Sequence, residues 1–261
     1  MAEVRLSPRL VRGVTAVVVI AYVTPFLALP VRVFANRWRF PAVVPQEWGL
    51  RGWDYAMSPG AGAGQALHNS LLVALAVTAV AVIVGWPAAR ALGEGRAPRP
   101  VATLTLIALP LLVPQYAVGT GLATWFIRIG LADRLLGVAL AHLPYVLPYV
   151  VLLLAPGFGA RVEALEDAAR SLGAGPVRRV LLVTVPAVMP SLAPAALLGF
   201  MVSWSQYGSS LAVGGGLPML PLVLVPFVGP DPQVASALAL LLMAPAVAAL
   251  VVALRAAREP I

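Results

Sequence analysis

The side chains able to do acid–base, metal or covalent chemistry are few in this sequence and poorly placed for it. His68 and His142 stand far apart with no carboxylate beside either, so a zinc site lacks a ligand set. There is no cysteine, which removes thiolate ligands, disulfides and cysteine nucleophiles. There is also no lysine, because all 18 basic residues are arginine. A Gly-x-x-x-x-Gly-Lys-Ser/Thr phosphate loop is therefore impossible, and ATP hydrolysis of the P-loop kind with it. No nucleophile–base pairing for hydrolysis is visible. The expectation is a chain without a catalytic centre, a bound metal or a cofactor of its own.

The remaining polar side chains of interest sit within or at the ends of apolar stretches: Gln115, Tyr116, His142, Trp204, Gln206 and Tyr207. Two uses are open to them. They either line a path for a solute, or hydrogen-bond between helices and anchor at an interface. His142 is the one ionisable side chain well inside an apolar stretch, facing a path or hydrogen-bonded between helices as a neutral ring. No apolar stretch has an acidic residue in its middle, which argues against a proton- or sodium-coupled carrier.

One stretch is different in kind. Residues 163–186 (EALEDAARSLGAGPVRRVLLVTVP) read as a charged helix, a turn and a second short helix. Val162, Leu165, Ala168, Ala169 and Leu172 recur at helical spacing as an apolar stripe. Glu163, Glu166 and Asp167 crowd the helix start, where the dipole favours negative charge, and Glu166 stands four before Arg170. Gly173 ends the first helix, and Pro176 suits the first position of the second, which carries Arg178 and Arg179. Ala168, Ala169 and Gly173 leave a face nearly without side chains. A charged hairpin with such a face is a docking element.

The elements that must hold these residues follow from composition. Of 261 residues, 61% are hydrophobic and 11% charged, with a mean hydropathy of +0.92. A soluble domain carries roughly a quarter charged residues, so an integral membrane protein is the class that fits. The net charge of +8 comes without a basic stripe interleaved with aromatics, which excludes a nucleic-acid binder. Six apolar spans are read at about 13–35, 67–92, 101–127, 135–156, 187–207 and 233–254. The first is taken as a retained span; the second opens on Asn69-Ser70 as a cap, and Pro110 and Pro114 interrupt the third. An aromatic- and glycine-rich loop covers 36–66, and 209–231 reads as a re-entrant or interfacial segment. With the tails 1–12 and 256–261 inside, the inner segments hold twelve arginines and the outer ones six. That asymmetry puts both termini and the hairpin on the cytoplasmic side. The expected architecture is all-α: a polytopic membrane domain over 13–255, with six transmembrane helices and a cytoplasmic helix between the fourth and fifth.

The hairpin resembles the EAA loop of the permeases of binding-protein-dependent ABC importers. That pattern is Glu-Ala-Ala, three residues, Gly, nine residues, Ile, one residue, Leu-Pro. Here Asp167, Ala168 and Ala169 precede Gly173, and Val183, Val185 and Pro186 follow in register, with Asp for Glu and Val for Ile and Leu. The resemblance covers roughly 65–255 and implies a permease subunit of the bacterial inner membrane, surrounded by lipid. It implies that the loop 157–186 couples to a cytoplasmic ATPase dimer, which binds the ATP. Glu166 and Asp167 would make polar contacts at the ATPase groove, while Ala168, Ala169 and Gly173 allow close approach and Pro186 closes the motif. A second permease subunit and an extracytoplasmic solute-binding protein complete the implied assembly. LPLLVPQYAVGTGL and WSQYGSSLAVGGG resemble the branch that handles polyamines, thiamine, ferric iron and related solutes. The rival readings are a carrier or channel working without an ATPase, and a membrane scaffold.

Overall fold

The computed structural model describes residues 8–256; residues 1–7 and 257–261, and so most of both tails with Arg5 and Arg258, lie outside the described residues. The chain is helical almost throughout. Five helices are long and apolar enough to cross a membrane, and six if one bent pair counts as a single crossing. They are α1 (Pro8–Val33), α3 (Ala63–Gly93), the pair α4 (Pro100–Leu112) and α5 (Gln115–Arg128), α6 (Leu135–Leu154), the helix ending in α9 (Val185–Trp204), and α12 (Pro232–Ala256).

The third expected span is thus broken rather than merely interrupted, and its halves meet at 89°. The cause is local. Pro114 offers no N–H and its ring crowds the residue before it, so Val113 is driven to an extended φ of −98° and ψ of 132°. Helix α4 must stop there, and α5 starts afresh one residue beyond the proline.

Two compact units divide the chain, one made of Gly64–Leu222 with the described part of Pro245–Ile261, the other of the described part of Met1–Ala63 with Val223–Ala244. In the first, α6 and α9 lie side by side, and Gly199 makes this possible. A Cβ added there would stand 2.8 Å from Val150 Cγ2 and 3.2 Å from Val146 Cγ1. Close packing over small residues drives helix association in lipid, where apolar transfer gains little. Val73, Val77 and Ala81 of α3 meet Val138, Val146 and Val150 of α6 and Met219 in one core.

The segment expected to be re-entrant folds into α10 (Gly208–Gly214) and α11 (Leu220–Leu224), with α10 packed on α5 and α6. Asn69 and Ser70 are not a helix cap, because α3 begins six residues earlier, at Ala63. Both are buried and tether this segment: Asn69 Nδ2 donates to Pro218 O at 2.9 Å, and Leu220 N donates to Ser70 Oγ at 2.9 Å.

In the second unit, the loop expected over 36–66 contains regular structure that composition did not disclose. A short antiparallel pair, β1 (Ala35–Arg37) with β2 (Glu47–Trp48), is followed by α2 (Arg51–Met57). Gln233 Nε2 ties these pieces together, reaching Asn36 Oδ1 at 2.8 Å, Val33 O at 3.0 Å and Gly49 O at 3.1 Å. Arg51 grips Asp231 with two hydrogen bonds of 2.7 and 2.9 Å, which hold the aspartate below its ordinary pKa.

Candidate functional site

The hairpin forms as its residue types require. Helix α7 (Ala160–Ser171) ends at Gly173, whose φ of +80° is the left-handed conformation that favours glycine. Ala174 N donates to Ala169 O at 3.0 Å and Gly173 N to Arg170 O at 2.9 Å, the two bonds of a Schellman ending. Helix α8 (Pro176–Arg179) then opens on Pro176. There is no break after it: a π-helical turn over Val180–Thr184 leads straight into α9. The fifth crossing therefore starts well before the expected residue 187, as a continuous helix from Pro176 to Trp204.

The inward face of α7 differs from the expected stripe. Val162 is buried, packed with Phe158 and Val188, whereas Leu165 and Leu172 are exposed, Leu172 at 88%. Glu166 is the other buried residue of α7, and both its oxygens are taken within the chain. Arg90, near the end of α3, donates to Oε2 at 2.6 Å, and the Thr184 hydroxyl donates to Oε1 at 2.5 Å. Burial raises the pKa of Glu166, but the Arg90 and Thr184 hydrogen bonds and the nearby Arg90 and Arg179 charges outweigh it. The carboxylate ends below its ordinary value. Arg96 completes the network, bridging Glu94 at 2.6 Å and Glu163, while Glu94 also holds Arg90 at 2.8 Å.

Glu166 thus fastens the hairpin to α3 and does not present itself outward as a groove contact. Nor does it pair with Arg170, which reaches back three residues to Asp167 at 2.8 Å. The outward group is Asp167, whose side chain is 68% exposed. Ala168, Gly173 and Pro186 are exposed and Ala169 is half-buried. Beside them a groove lined by Ala169, Leu172, Gly173, Arg178 and Leu182 has a volume of about 250 Å³, and Val177, Leu181 and Leu182 are uncovered near it.

The six polar residues singled out at membrane depth separate into different roles. His142 is fully buried between Ser203 Oγ at 2.9 Å and Ser210 Oγ at 2.8 Å, which joins α6 to α9 and α10. Trp204 is buried and stacks on Phe200, with ring centroids 5.6 Å apart. Tyr116 and Tyr207 are exposed, and neither lines the cavity that Gln115 and Gln206 share. Gln115 and Gln206 do come together, in a cavity of about 210 Å³ that Tyr145, Tyr149 and Ser205 also line. Two of these residues each hold a side-chain atom, Tyr145 Oη and Gln206 Nε2, that is buried without a hydrogen-bond partner among the described residues. Sequence reading missed the tyrosines as lining. Their spacing of four on a helix, which puts both on one face, was the available signal.

No protein-family model matches the chain. Curated relatives do. The molybdenum transport system permease protein ModB of Mycobacterium tuberculosis is 32% identical over 252 residues, covering 90% of this chain and 90% of that protein. A putative ABC transporter permease protein of Streptomyces antibioticus is 33% identical over 165 residues, 62% of this chain and 72% of that protein. The molybdate/tungstate permease WtpB of Thermococcus kodakarensis is 32% identical over 149 residues, 57% of this chain and 60% of that protein. Among solved structures, a bacterial ABC transporter involved in import of the acidic polysaccharide alginate shares the fold. Its TM-score is 0.71 at 16% identity, covering 98% of this chain and 99% of that one.

Proposed function

Because this chain belongs to the permease subunits of ABC importers, we propose that it forms part of the membrane path for a small oxyanion of the molybdate, tungstate or sulfate class. The observation that carries the reading is the similarity to a molybdenum permease across 90% of both chains. The cavity lined by Gln115, Tyr145, Tyr149, Ser205 and Gln206 is compatible with it, because its polar groups include hydrogen-bond donors and it holds no carboxylate. The relatives named above direct the solute away from polyamines, thiamine and ferric iron, so that expectation is dropped.

In this reading energy comes from outside the chain. A dimeric cytoplasmic ATPase binds the ATP and docks on the loop 157–186, with Asp167, Ala168, Ala169 and Gly173 at the contact. Glu166 acts one step removed, since its bonds to Arg90 and Thr184 tie any movement of the hairpin to α3 and the start of α9. A second permease subunit, identical or homologous, closes the path, and an extracytoplasmic binding protein delivers the anion. The protein is multi-pass in the inner membrane, with both termini cytoplasmic, an orientation that rests on the arginine asymmetry between its loops.

The test is uptake into proteoliposomes holding the chain, its ATPase and its binding protein, with labelled molybdate, sulfate and putrescine compared. ATP-dependent accumulation of an oxyanion and none of putrescine is expected. Uptake that proceeds without the ATPase would instead establish a stand-alone carrier.

A further inference from the structure

We propose that the cavity between the end of α1 and the β1–β2 hairpin binds the phosphate headgroup of an anionic phospholipid, with the apolar hairpin tip seated in the same leaflet. The inference goes beyond the import reading and does not depend on the solute. Four arginines, Arg32, Arg37, Arg39 and Arg51, line one cavity of about 230 Å³. Asp231 is the one carboxylate in that lining, and Arg51 takes both its oxygens, at 2.7 and 2.9 Å. Arg37 reaches Glu47 at 3.4 Å, a long contact between two exposed side chains. Arg32 and Arg39 meet no carboxylate among the described residues. Unanswered positive charge around a cavity calls for an anion, and the arginine fork matches phosphate oxygens two at a time. The volume exceeds the roughly 30 Å³ of one water several-fold, which leaves room for a phosphodiester.

The place of the cavity selects a lipid rather than a free ion. The apolar span of α1 runs over Leu10–Val33, 24 residues. At 1.5 Å per residue that is about 36 Å, against roughly 30 Å of hydrocarbon, so Arg32 in the last turn stands at the membrane boundary. Arg32 also fixes the hairpin at that depth. Its Nη1 donates to Trp38 O at 3.2 Å, and its guanidinium lies over the Trp38 ring, 5.4 Å from the centroid. Trp38 Nε1 donates to Ala42 O at 3.0 Å, and Arg39 N donates to Gln46 Oε1 at 3.1 Å, which close the turn. Beyond the arginines the tip is apolar and uncovered, with Phe40 98% and Val43 88% exposed and Val44 exposed beside them. Cations at headgroup depth beside an apolar tip are what interfacial segments use. A free oxyanion would engage the arginines and leave Phe40 and Val43 in water. A phospholipid engages both.

One label and two variants test this in the full-length chain. Val43→Cys supplies the only thiol in a chain with no native cysteine, and a fluorophore on it reads the tip locally. The chain is placed in phosphatidylcholine nanodiscs that carry either brominated phosphatidylcholine or brominated phosphatidylglycerol as quencher. The label should be quenched by both, and by phosphatidylglycerol at a fraction lower by about tenfold. Arg39→Gln should cut that preference about fivefold, the effect of one arginine at a charged lipid surface. The Arg39 guanidinium has no hydrogen-bond partner among the described residues, so its loss leaves the fold intact. Arg128→Gln, which removes an arginine from the last turn of α5, should leave the preference unchanged.

Excess molybdate or inorganic phosphate in the buffer should not displace the lipid. Displacement would assign the cavity to a free anion and overturn the lipid site. A label that neither brominated lipid quenches would put the tip outside the bilayer, which also overturns it. Equal quenching by the two lipids, or a preference that Arg39→Gln leaves intact, would show that the arginines hold no headgroup and would overturn it as well.

Discussion

Glu166 shows how one carboxylate can fasten a helical hairpin to the bundle behind it. It is buried, and it receives Arg90 from one helix and Thr184 from another. Glu166→Gln should leave Glu94 as the one carboxylate on Arg90, take away one of the two acceptor oxygens, and lower stability by about 2 kcal/mol, read as a fall in thermal midpoint in detergent. The pH dependence follows from the sign of its shift. A carboxylate held below its ordinary pKa stabilises the fold above its unfolded value, and that stabilisation is lost as pH falls through the lower folded value. Hairpin anchoring should therefore be constant from about pH 5 to about pH 8 and decline only below about pH 4, which hydrogen exchange of α7 amides would measure. Glu166→Gln should flatten that acid limb. His142 plays the matching part inside the bundle. His142→Ala should cost about 1 kcal/mol through its two serine bonds, since interhelical hydrogen bonds in membranes average roughly 0.6 kcal/mol each. None of these partners was legible in the sequence, because Arg90 lies 76 positions from Glu166 and Ser203 lies 61 from His142.

At the scale of elements, more could be read in advance, and the reason is that local rules act there. Gly173 and Pro176 mark where one helix must stop and another start, and both do so. Asp167 is exposed and its side chain is held, among the described residues, by its i,i+3 partner Arg170, so Asp167→Arg should change fold stability by less than about 0.5 kcal/mol. It should nonetheless abolish co-purification of the ATPase. Gly173 has open space around it, so the obstacle to substitution there is its φ of +80°. Gly173→Val should fray the end of α7 at a cost of about 1–2 kcal/mol, seen in thermal unfolding, whereas Gly173→Asn should be tolerated. The α4–α5 bend was only half legible. Pro114 announces an interruption, but not the 89° angle of the break or the contact of α5 with α10, which proximity in sequence does not encode. Likewise, the π-helical turn before Pro186 joins the hairpin to α9 without a loop, and no residue pattern signalled that continuity.

For the whole molecule, what the chain lacks is as informative as what it carries. Without lysine it has no P-loop motif, and none of its ten acidic residues falls in the middle of an apolar span. Membership of the ABC importer permeases then places the engine in another subunit. Val162 and Phe158 pack with Val188 and Leu154, and the Arg90–Glu166–Thr184 bonds run beside them, so the hairpin is held to α3 and α9. The most direct test of this account is ATP hydrolysis by the reconstituted complex, with and without molybdate-loaded binding protein, for the wild type and Asp167→Arg. The account predicts hydrolysis stimulated by the loaded binding protein in the wild type, and no stimulation in Asp167→Arg inserted at equal level. Equal stimulation in both would contradict the claim that this hairpin couples the path to its ATPase.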